Sequence, residues 1–283
     1  MRRVALVLTL AAFAVAGSAL GATAQRQLIG TAQDHSLVEG EDCARFHTQT
    51  YTSFPAQVSA EEHRDVPLAG VDVLKVRAGD EGGVSIRGWD RSIARLTICK
   101  CAVGQTKLLA QRTLGSVSVS LRPGEIIATG PEINETQVWW VHMILFVPKA
   151  SNLDVEAENG GIAIRNMSGH VNARATNGGI SLAQSAGDHK ISTRNGGISL
   201  DRITGRVDAT TQNGPISLRL RDAAVPSLEA RTDDDGAIYC NLKGCADRLG
   251  NWTANRRVLR IGTAAPMIRL STSRAPIMIE QVR

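Results

Sequence analysis

The 283 residues of this chain suffice for two small domains or one long repeat domain. The formal charge of +5 is a weak bias, and two units of it come from Arg2 and Arg3. Acidic and basic residues are interspersed without the basic run of a nucleic-acid patch, so nucleic acid is excluded as the expected partner.

Residues 1–24 read as a secretory signal peptide. Arg2 and Arg3 form the basic start, Val4 to Leu20 is largely apolar, and Ala22-Thr23-Ala24 supplies small residues for cleavage. No second long apolar stretch follows, so the mature chain is expected to lack a transmembrane segment and to be periplasmic, extracellular or at the cell surface. Residues 25–65 are polar and irregular, which predicts a flexible arm. Outside the cytoplasm, Cys43, Cys99, Cys101, Cys240 and Cys245 should pair as disulfides and leave at least one over. Cys240 and Cys245 can close a short loop. Cys99 and Cys101 share one face of a strand, so a bridge between them would be strained, and Cys43 is expected to reach one of the two. The alternative, a metal site of Cys43, His47, Cys99 and Cys101, matches tetrahedral zinc spacing poorly.

Leu74, Val76 and Ala78 alternate before Asp80, followed by Gly82, Gly83, Val84 and Ile86. Residues 90–149 are strand-rich but do not repeat. Val138 to Val147 is apolar on both faces and should be a strand covered on both sides. No convincing amphipathic helix is predicted.

Residues 150–220 carry the repeat. Asn159, Asn177, Asn195 and Asn213 lie 18 apart, each followed three residues on by Ile162, Ile180, Ile198 or Ile216. Leu153, Val171, His189 and Val207 form a matching column six residues before the asparagines. Each unit is two short strands with period-two alternation and two turns. A period of this size predicts an all-β chain, a right-handed or roll-like β-solenoid of two-strand repeats. The rival is an antiparallel meander, because Asn-Gly also marks hairpins. In the stacked reading the isoleucines fill the core. The asparagines tolerate a left-handed corner and bond to one another, and the next glycine supplies positive φ where a β-carbon would clash.

Leu228 to Ile238 and Ile268 to Ile277 repeat the pattern imperfectly, with residues 244–258 as an inserted loop around Trp252. Residues 259–283 form the expected C-terminal cap. Asp233, Asp234 and Asp235 are the best candidates for weak cation binding or for the acid and base of a polysaccharide lyase or hydrolase. A solvated acidic turn is the simpler reading. His170 and His189 should point to opposite faces, and the repeat accounts for Ser181, Ser199 and Ser217 as an exposed column. No nucleophile motif and no phosphate-cradling loop is present, so no catalytic residue, cofactor or metal ligand is assigned.

With the units laid out, the stretch Gly82 to Asp90, the strand ending Phe146-Val147-Pro148 and the serial Asn-Gly-Gly-Ile units resemble a bacterial family, the putative-adhesin β-strand-repeat or toastrack domain. The resemblance covers residues 66–283. It implies a non-enzymatic domain of the cell envelope, with interaction or scaffolding as its role and a link to envelope stress systems. No aromatic residue occurs between Lys149 and Ile238, so a protein partner is expected ahead of a polymer that stacks on aromatic rings.

Overall fold

The computed structural model describes residues 43, 46, 54–221, 227–233, 236–242, 245, 253–262 and 267–282. The first part of the chain contributes strands β1 (Ala56–Val66), β2 (Val73–Arg77), β3 (Gly82–Trp89) and β4 (Ala94–Gly104), then helix α1 (Lys107–Ser116). Strands β5 (Ser118–Arg122), β6 (Glu125–Thr129) and β7 (Gln137–Pro148) follow. The repeat supplies β8 (Asn152–Ala157), β9 (Ile162–Arg165), β10 (Val171–Ala175), β11 (Ile180–Ala183), β12 (Ala186–Thr193), β13 (Ile198–Asp201), β14 (Thr204–Thr211) and β15 (Ile216–Arg221). The last part adds β16 (Leu228–Thr232), β17 (Ile238–Cys240), β18 (Thr253–Arg256), β19 (Val258–Ile261), β20 (Ile268–Thr272) and β21 (Ile277–Val282).

The described residues are all-β apart from α1, and their strands form two large sheets that do not close into a barrel. Consecutive strands of each unit enter opposite sheets. One sheet runs β1-β4-β7-β3-β9-β11-β13-β15-β21-β17-β18 and the other β19-β16-β20-β14-β12-β10-β8-β2-β6-β5. Through the repeat the pairing is parallel, and equivalent letters meet. Ile180 lies between Ile162 and Ile198, and Ile198 pairs onward with Ile216. In the facing sheet Val171 lies between Leu153 and His189. The antiparallel meander is thereby excluded for these strands.

Alternation decides the interior. Ile162, Ile180, Ile198 and Ile216 are buried and face the buried column of Leu153, Val171, His189 and Val207. Each such isoleucine contributes roughly 1.5–3 kcal/mol by leaving water. Where His189 interrupts its column, bulky Ile191 stands in register with Ala173 and Ala209. Strand β7 is covered on both faces as expected, with Val141, Met143 and Leu145 in the central core and Trp140, Ile144 and Phe146 packed on the other side.

Four expectations need correction. The flexible arm predicted over 25–65 does not extend over residues 56–65, because Ala56–Val66 forms β1, an edge strand paired antiparallel with β4 along its whole length. Its polar run Glu61 to Asp65, with Glu61, Glu62, Arg64 and Asp65 charged, hid the pairing and also suits an edge that must not recruit other strands. Helix α1 was not predicted. It starts at Thr106, whose hydroxyl accepts from the Leu109 amide at 3.1 Å, and only Ala110 and Thr113 of its residues are buried, so it carries almost no amphipathic signal. The loop expected over 244–258 contains β18, which pairs antiparallel with β17; Trp252 lies outside the described residues.

The fourth correction concerns the C-terminus. Strands β20 and β21 are last in the chain but do not cap it. β20 lies between β14 and β16, and β21 between β15 and β17. The chain leaves the stack after β15, builds the outer unit, and returns to fill the gap. At the other end β6 and β7 similarly lie outside β2 and β3. Parallel units of identical register are interchangeable to the backbone, so their order along the chain does not dictate their order in space.

Candidate functional site

The polar letters of the repeat are spent inside the wall of the stack. At the first corner, Asn177 donates its Nδ2 hydrogen to Oδ1 of Asn159, Asn195 to Asn177, and Asn213 to Asn195, each at 2.7 Å. The ladder ends at Glu81, whose Oε1 accepts from Asn159 at 3.0 Å. Glu81 is buried, and its Oε2 has no hydrogen-bond partner among the described residues. Desolvation pushes its carboxyl from the ordinary 4.5 up to about 7; the Asn159 hydrogen bond opposes that rise, and the nearby charges of Asp80 and Glu158 add to it.

The glycine after each asparagine is required for a reason other than the one expected. Neither these asparagines nor Gly160, Gly178, Gly196 and Gly214 have positive φ. The constraint is close approach. A β-carbon on Gly178 would sit 1.9 Å from the Gly160 carbonyl oxygen, and one on Gly196 would sit 2.2 Å from that of Gly178. A further column escaped sequence reasoning. Thr193, Thr211 and Thr272 donate their hydroxyls to the carbonyls of Gly178, Gly196 and Gly214 at 2.8, 2.9 and 3.0 Å. Their common place two residues before the corner was the available signal. On the outer face of β2, β8 and β10, Arg77 and Arg174 bracket Asp154 and Glu156 in a compensated charge lattice.

Cysteine chemistry is structural in this arrangement. Cys43 bridges to Cys99 and Cys240 to Cys245, which leaves Cys101 as a buried thiol pushed by desolvation to about 12. The bridge consumes two members of the alternative metal set, and His47 lies outside the described residues. Phe46, beside the bridge, stacks on His142 with ring centres 3.6 Å apart. His142 in turn contacts the Ser85 hydroxyl at 2.9 Å, and desolvation lowers its pKa to about 3. Cys43 and Phe46 are thus tied over the outer face of β3, β4 and β7.

Of the acidic run, Asp233 is exposed and its carbonyl accepts from the Gly236 amide at 3.1 Å; Asp234 and Asp235 lie outside the described residues. His170 is exposed while His189 is buried, so the two do face opposite ways. Both ring nitrogens of His189 lack a partner among the described residues, and desolvation lowers its pKa to about 4. Among the described residues no cluster of His, Cys, Asp or Glu is arranged to hold a metal ion, and no helix is long and apolar enough to cross a membrane.

The concave feature that sequence reasoning missed lies at the second corner. Asn166, Gln184 and Arg202, again 18 apart in the chain, adopt positive φ of 59°, 51° and 53°. They line an open recess of about 600 Å³ together with Lys149, Ser168, Thr204, Arg221 and Met267. Met167, Ser185, Ile203 and Leu220 form its buried floor. The positions fall between strands, where the apolar alternation used to find the units carries no information.

No family model matches the chain, and no curated protein matches its sequence. Among solved structures, a putative cell adhesion protein of Clostridium sporogenes is similar at 12% identity over 80% of this chain and 100% of that one, with a TM-score of 0.36. A putative adhesin of Bacteroides fragilis is similar at 13% identity over 81% of this chain and 99% of its own, with a TM-score of 0.31.

Proposed function

We propose that the chain is a two-sheet β-solenoid acting outside the cytoplasm as a non-enzymatic, adhesin-like interaction module for a protein of the cell envelope or surface. The observation that carries this reading is the recess at the second corner, which crosses three successive units and so presents an extended surface to a partner. The parallel 18-residue register supports the solenoid assignment. Two disulfides suit an oxidising compartment. In this reading residues 1–24 are a cleaved leader, the arm is pinned through Cys43, and residues 66–283 form the interaction body. The family resemblance adds envelope stress systems as a place to look for the partner.

The test is capture of envelope proteins on the oxidised mature chain, with chemical cross-linking and competition by the soluble protein. The expected result is a specific partner displaced by competitor. Recovery of background binders alone would reject the module reading.

A further inference from the structure

The lining of the second-corner recess is one-sided in charge. Lys149, Arg202 and Arg221 contribute cations, and no Asp or Glu is among the described residues of the lining. Lys149 is 2.7 Å from Asp90, an exposed pair of the kind that holds weakly, and Arg202 is 2.8 Å from Asp201, so each retains donors for another acceptor. Arg221 is exposed and makes no ion pair among the described residues. Uncharged polar residues Asn166, Ser168, Gln184, Ser185 and Thr204 share the lining with apolar ones: Met167, Ile203 and Leu220 lie beneath, and Met267, 43% exposed, stands at the wall.

The backbone adds an independent observation. A left-handed conformation costs a residue with a β-carbon roughly 1–2 kcal/mol, which glycine would avoid and asparagine reduces. Gln184 and Arg202 nevertheless occupy it, held by amide hydrogen bonds to the carbonyls of Asp201 and Arg219, both at 2.8 Å. Neighbouring strands are ~4.7–4.9 Å apart, so the three side chains stand in rank along the recess. Strain of this kind that places polar side chains along a groove points to recognition.

We propose that the recess binds an acidic, partly apolar peptide segment of the partner protein, laid across three units. Its carboxylates lie against Lys149, Arg202 and Arg221, and its apolar side chains lie over Leu220 and against Met267. This rests on the interaction-module reading and names the chemistry of its contact. The apolar side chains of the floor favour peptide over an anionic polysaccharide, and the described residues of the lining include no aromatic ring on which a sugar would stack.

Fluorescence anisotropy with a short labelled peptide of Glu and Leu, its Lys-for-Glu counterpart and polygalacturonate as competitor tests it. The acidic peptide should bind saturably, weaken with salt, and outbind the basic one. Gln184→Glu and Arg221→Glu, both at exposed positions, should each reduce affinity at least about tenfold with unchanged melting temperature. Gln184→Gly should also weaken binding while keeping or raising the melting temperature. Absence of saturable binding, equal affinity in the charge variants, or binding of polygalacturonate in place of the peptide would overturn the proposal. If the double charge variant still captured the wild-type partner, the recess assignment would fail while the module reading stood.

Discussion

Replacing Glu81 by Gln tests the end of the asparagine ladder. Gln retains a carbonyl to accept from Asn159 but cannot ionise, so it imitates the protonated acid. In the folded chain Glu81 titrates near 7, against 4.5 for the ordinary carboxyl. The folded value is the higher one, so the stability that Glu81 contributes is fully present below pH 4.5 and is lost as pH rises through 7. A shift of this size corresponds to about 3 kcal/mol. Urea unfolding of both proteins across that range, taken as the difference between variant and wild type, cancels every other titrating group. Glu81→Gln should gain on wild type by up to about 3 kcal/mol between pH 4.5 and 8, with the midpoint of the gain between the two pKa values. A difference independent of pH would refute the buried, singly hydrogen-bonded carboxyl.

Other substitutions probe the stack itself. His189 has the opposite sign: its folded value near 4 lies below the ordinary 6.5, so its penalty appears as pH falls from 6.5 through 4. His189→Val should remove that acid sensitivity in the same unfolding series. Ile198→Asp places an unpaired charge in the central column and should cost several kcal/mol, while Ser199→Asp, on the outward side of the same strand, should change the melting temperature little. Gly178→Ala forces a β-carbon to within 1.9 Å of backbone and should destabilise by about 1–3 kcal/mol or more. Gly115→Ala, which meets nothing within 4 Å in helix α1, should be neutral or stabilising. Alkylation of the denatured, unreduced chain followed by intact mass should count a single thiol, and peptide mapping should place it on Cys101.

The sequence by itself determined the unit: its period, its register, which letters face the core and which asparagines bond to which. Those features are legible because each unit touches its neighbours in register, so a local rule copied every 18 residues describes the contact between copies. Even the imperfect copies at Leu74, Leu228 and Ile268 were recognisable from alternation alone. Long-range choices were not written locally. Equal registers let β20 and β21 enter the stack between earlier units, and nothing in their letters distinguishes an inner position from a cap. Cys99 and Cys101 share one face, so only the docked arm selects Cys99 for Cys43. Glu81 gains its raised pKa from the burial that comes with ending the ladder. The recess arises because three turns, each unremarkable in sequence, are stacked into one continuous groove that gathers Lys149, Arg202 and Arg221, and that juxtaposition exists only in the folded chain.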